Sequence, residues 1–80
     1  MIDFETAKKN AANVYEGRVL PNFYSELTDS WVFTFQEIDG KTSFVESVRV
    51  NKSDGTAEVW SFIKNRKEYF DKLIKANIPA

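Results

Sequence analysis

The sequence predicts an α+β domain: an N-terminal helix, an antiparallel meander of three to four strands and a C-terminal helix, with the helices on one face of the sheet. Two observations carry this. Apolar residues recur at steps of three and four near both ends of the chain, and they alternate at steps of two through its middle. No strand–helix–strand alternation appears, so a parallel sheet is not expected.

The first helix is read from "DFETAKKNAANVYEG". Phe4, Ala7, Ala11 and Val14 make one apolar stripe, Asp3 stands at the N-cap and Gly17 at the stop. Lys8, Lys9, Asn10 and Asn13 lie off the stripe and are expected in water. In "RVLPNFYSELTDS", the alternation of Phe23, Ser25 and Leu27 predicts a short strand. Pro21 cannot donate a ladder hydrogen bond, which assigns that strand to a sheet edge. Thr28, Asp29 and Ser30 then form a turn.

The meander follows as strands over 31–38, 42–51 and 56–62. A two-residue turn at Asp39 and Gly40 sets Phe35 opposite Phe44, Phe33 opposite Glu46 and Trp31 opposite Val48. A four-residue loop over 52–55 sets Val50 beside Ala57, Val48 beside Val59 and Arg49 beside Glu58. Both turns give one buried side: Trp31, Phe33, Phe35, Phe44, Val48, Val50, Ala57 and Val59. Glu46 is the exception. The last segment, "NRKEYFDKLIKANIPA", opens on a capping-box pair, Asn65 and Glu68. Tyr69, Phe70, Leu73 and Ile74 follow at helical spacing, and the helix is expected to end before Pro79.

Composition narrows the function. Eighty residues form a single domain, 1–80, and a chain of that size buries roughly 60% of its unfolded surface, so it needs large apolar groups. Aromatics at 15% meet that need. With no cysteine there is no disulfide framework and no thiolate metal site, and with no histidine the commonest general base and metal ligand are missing. Serines have no histidine partner, and "NKSDG" lacks the later acidic ligands of a calcium loop. No catalytic residues, metal or cofactor are expected, and the chain reads as a non-enzyme. The N-terminus lacks a signal-peptide pattern and no apolar run approaches a membrane span, so a cytoplasmic protein without membrane contact is expected.

The net charge of −1 is unevenly spread. Residues 1–40 carry seven acidic and three basic groups, whereas residues 41–80 carry eight basic and five acidic ones. These read as solvated faces or as opposite ends attracting different partners.

The aromatic row of Trp31, Phe33 and Phe35 reads as core rather than as an RNA-stacking platform. A nucleic-acid surface would want basic neighbours where Glu37 and Glu46 stand. The opposite face gathers Val32, Thr34, Val45, Ser47, Arg49, Glu58, Trp60 and Phe62. If open, it has the composition of a protein interface, with Arg49, Trp60, Phe62 and Val45 as partner-binding residues. If the C-terminal helix or Tyr24 folds over it, Trp60 belongs to a second small core.

Two resemblances bear on partners. In "VRVNKSDGTAEVW", the strand ending Val-Asn-Lys, the turn at Gly55 and the strand with Val59 are similar to the V-[DN]-x-x-[TS]-G-x-V hairpin of PepSY-like domains. With the helix bearing Ala7, Ala11 and Ala12, and with "WVFTF", the chain also resembles polymorphic-toxin immunity proteins of the thirty-fifth numbered family. That resemblance implies a small, cytoplasmic, bacterial protein that occludes a cognate toxin, often one with a peptidase-like domain. Gln36-Glu37-Ile38-Asp39-Gly40 resembles the Gln-x-Val-x-Gly hairpin that cystatins wedge into papain-like peptidases, which implies partner contacts at Gln36 and Asp39. A plain turn after a glutamine accounts for the same residues. The sequence thus predicts a small protein-binding module with a toxin or peptidase as partner, or a self-associating homodimer.

Overall fold

The computed structural model describes residues 1–36 and 45–80. Its elements are α1 (Phe4–Val14), β1 (Leu20–Leu27), β2 (Ser30–Gln36), β3 (Val48–Asn51), β4 (Ala57–Val59), α2 (Arg66–Lys72) and β5 (Leu73–Pro79). The strands form one antiparallel sheet in the order β4-β3-β2-β1-β5. The α+β class holds, with five strands in place of three or four.

Helix α1 forms as its signals direct. The Asp3 carboxylate accepts from the Thr6 amide at 2.8 Å, and this bond holds the Asp3 carboxyl below its usual range. At the other end Glu16 and Gly17 take positive φ, and the Gly17 amide turns back onto the Ala12 carbonyl at 3.1 Å. The apolar stripe buries Ala7 and Ala11 against Trp31, Phe33, Val48 and Val50. Small residues on the helix let the large sheet side chains approach. Phe4 fills the remaining space, its ring 4.6 Å from Tyr24, 5.6 Å from Phe33 and 5.9 Å from Trp31.

Asn10, expected in water, is half-buried and donates to the Gly55 carbonyl at 3.0 Å. Gly55 has φ +76°, and a Cβ there would stand 3.0 Å from the Asn10 amide nitrogen, so the 52–55 turn fits beneath α1 because it carries glycine.

The β3–β4 register is the expected one, with Val48 opposite Val59, Arg49 opposite Glu58 and Val50 opposite Ala57. The β2–β3 register is displaced by two residues. Trp31 faces Val50 and Phe33 faces Val48, not Val48 and Glu46. A shift of two keeps every strand side chain on its own face, so the buried side survives. Glu46 precedes β3 and, among the described residues, pairs with no residue of β2. Phe33, Val48 and Val50 are fully buried, Phe35 packs on Tyr15 at 5.2 Å, and Ala57 is partly buried. Val59 is 49% exposed, because β4 is a three-residue edge strand. The Asp39–Gly40 turn and the Phe35–Phe44 pairing lie outside the described residues.

Two expectations about the ends of the chain are corrected. Strand β1 is interior, between β2 and β5. Its ladder to β5 stops at Phe23 opposite Pro79, so Pro21 lies beyond the stretch that needs a donor on that side. The C-terminal helix is seven residues long, and residues expected to continue it form β5. The capping box does not close, and the Asn65 amide donates to the Ser61 carbonyl at 2.7 Å instead. Without β5, β1 would present an unpaired row of peptide groups, and pairing with 73–79 satisfies them.

Candidate functional site

Because β4 and β5 lie at opposite edges of the sheet, the chain from Trp60 to Lys72 must cross a whole face to join them. It crosses the face away from α1, so the helices pack on both faces rather than on one. There Leu27, Val32, Trp60 and Tyr69 form a second core, with Leu73 against it. Of the two alternatives the sequence leaves for this face, the covered one holds, with the C-terminal helix folded over Trp60.

Polar bonds hold this cover. The Ser25 and Tyr69 hydroxyls share a buried hydrogen bond of 2.8 Å, and the Asn77 amide donates to Ser25 Oγ at 3.1 Å. Arg49 reaches from β3 to the Glu58 carboxylate at 3.0 Å and to Glu68 of α2 at 2.8 Å. Lys72 at the end of α2 meets Asp29 at 2.8 Å. That bond lowers the Asp29 carboxyl and raises the Lys72 ammonium relative to their usual values.

Beside the cover lies a cleft of about 520 Å³. Val32, Val45, Trp60, Phe62 and Ile63 supply apolar walls, and Ser25, Thr34, Ser47 and Asn77 bring polar groups to it. The Ser47 carbonyl accepts from the Trp60 amide at 2.8 Å, and the Glu46 carbonyl from the Tyr15 hydroxyl at 2.8 Å, so the backbone of the 45–47 wall is held by the chain after β4 and by the residue that ends α1. Burial, and then the nearby Glu46 carboxylate, push the Tyr15 phenol up, which keeps it a donor.

The residues expected to bind a partner are distributed unevenly. Trp60 is 5% exposed and belongs to the core. The Arg49 side chain is 19% exposed and is engaged by two carboxylates. Val45 is half-buried in the cleft wall. Phe62, 40% exposed, forms part of the cleft's rim. Gln36 closes β2 opposite Leu20; its side chain, and Asp39, lie outside what the structure describes.

The structure adds residues that the pattern did not single out. Ile63 is 79% exposed beside Phe62, and Phe70 is 59% exposed on α2. The Phe62 ring packs edge-on against Tyr69 at 5.0 Å and lies 6.1 Å from Phe70. Phe62 thus joins the cleft to an outer aromatic strip. Its neighbours Tyr69 and Phe70 were visible as a helical pair, but a pattern continuing to Ile74 could not show that the helix stops at Lys72 and leaves Phe70 outside. Among the described residues no group of acidic side chains could hold a metal ion, and no helix is long and apolar enough to cross a membrane.

Comparison with protein families, with curated proteins and with solved structures gives no match for this chain.

Proposed function

We propose that the chain is a small protein-binding module that docks a partner on the strip of Phe62, Ile63 and Phe70 at the rim of the cleft. The supporting observation is the clustering of large apolar side chains, 40%, 79% and 59% exposed, on a turn and short helix fixed by ion pairs. Aromatic groups held at the surface beside a concave apolar wall suit interface anchors, since little conformational freedom is lost when they are covered. The resemblance to immunity and inhibitor proteins supplies the specific version: a cytoplasmic bacterial protein that occludes a toxin or peptidase without catalysing a reaction.

Affinity capture from the native host tests the docking surface. The unmodified protein is expected to retain a partner that a Phe62→Ser, Phe70→Ser variant loses, and equal recovery by both forms would remove this strip from consideration. A second reading, self-association, is favoured by Val59, half-exposed on the three-residue edge strand β4. Sedimentation of the purified chain separates the two, because self-association predicts a dimer without any partner.

A further inference from the structure

We infer that the partner's docking segment is acidic: a peptide stretch of another protein that sets an apolar side chain on the Phe62–Phe70 strip and carboxylates against Lys64, Arg66 and Lys67. This rests on the protein-binding reading and adds the chemistry of what is bound. Arg49, Lys52 and Lys72 are each committed to carboxylates at 2.7 to 3.0 Å. Lys64, Arg66 and Lys67 are exposed and, among the described residues, make no ion pair.

Their position matches the aromatic strip. Arg66 and Lys67 precede Phe70 by four and three residues on α2, so both flank its ring on the helix surface. Lys64 directly follows Ile63 in the turn that carries Phe62. Of the acidic residues on the helix, Glu68 is turned to Arg49 and Lys72. Asp71 alone stands outside that network among the described residues of α2, against three uncommitted cations.

Two cations in the first turn also run against helix electrostatics, which favour negative charge at that end. With Asp71 beside Lys64 and Lys67, they leave exposed cations around an apolar centre. That is the complement of an acidic segment with a central apolar anchor. A peptide is favoured over a lipid surface because the strip borders a cleft of about 520 Å³, which receives a projecting side chain, whereas a membrane meets a flat or convex face.

The test is selection of a randomised displayed-peptide library on the intact protein. Enriched sequences are expected to carry Asp or Glu flanking an aromatic or aliphatic residue. The dissociation constant of such a peptide should rise about tenfold or more in a Lys64→Glu, Arg66→Glu, Lys67→Glu variant and stay within about twofold for Lys9→Glu on α1. Thermal melts of each variant verify folding. Enrichment of neutral or basic peptides, or binding indifferent to the triple charge reversal, overturns the acidic assignment and leaves the docking strip standing. No enrichment beyond that on Phe62→Ser, Phe70→Ser overturns both. Binding to phosphatidylserine-containing vesicles in preference to every displayed peptide replaces the protein segment with a lipid surface.

Discussion

The two faces of the sheet are closed by different means. On one side the eleven-residue helix α1 covers Trp31, Phe33, Val48 and Val50, with Phe4 against three aromatic rings. On the other, the seven-residue α2 contributes Tyr69 to a core of four buried side chains, and a hydroxyl pair and ion pairs fix it. A helix of two turns has too little apolar surface to hold by burial and is marginal alone. Directional polar bonds compensate, since they specify one position without requiring a large contact. As a result, the apolar side chain of Phe70, which α2 does not bury, stands outside beside Arg66 and Lys67, which make no ion pair among the described residues.

The largest effect should come from breaking the α1 side. Phe33→Ala empties a fully buried ring position under α1 and is expected to cost about 3–5 kcal/mol, read as a lower denaturant midpoint with the slope unchanged. A smaller effect is expected across the sheet. Tyr69→Phe keeps the ring and removes one of the two partners of Ser25 Oγ, with a loss of about 1 kcal/mol. Hydrogen exchange sharpens the comparison: amides of α2 and Asn77 should exchange faster in this variant while those of α1 change little.

The smallest effect lies in the Asp29–Lys72 pair, which is partly solvent-exposed and therefore screened. The folded Asp29 carboxyl is held below its unfolded value. Its contribution is therefore complete above about pH 4 and is lost as pH falls through the folded value. The stability difference between the unmodified protein and Asp29→Asn should narrow on acidification and be constant near neutrality. A gap that widens in acid would show that the carboxylate is not stabilised in the folded chain.

Legibility in the sequence followed the range of the interactions. Asp3, the Ala7–Ala11 stripe and the stop at Gly17 act within a few residues, and α1 formed as they indicate. The 52–55 turn fixed its own register, with the Asn51 amide on the Thr56 carbonyl at 2.9 Å. Where the intervening residues were many, the register was displaced by two, which alternation cannot detect because it repeats every two residues. Of the candidate site, Phe62 and Val45 were legible as members of one face. Trp60 was assigned to the right face, but that face is covered by a connection whose path depends on where β5 pairs.

The sequence by itself determined the class of the domain, the buried side that carries Trp31 and Phe33, and the lack of cysteine and histidine, because composition, alternation and capping are properties of neighbouring residues. Tertiary structure decided the fate of residues 73–79. Their local pattern fits a helix, yet β1 offers peptide groups that a strand can satisfy. It decided with them the crossing of Trp60 to Lys72 over the second face, which buries Trp60 and Tyr69 and leaves Phe62 and Phe70 at the surface. Such choices are set by pairing between segments far apart in the chain, and no window of local sequence contains both partners.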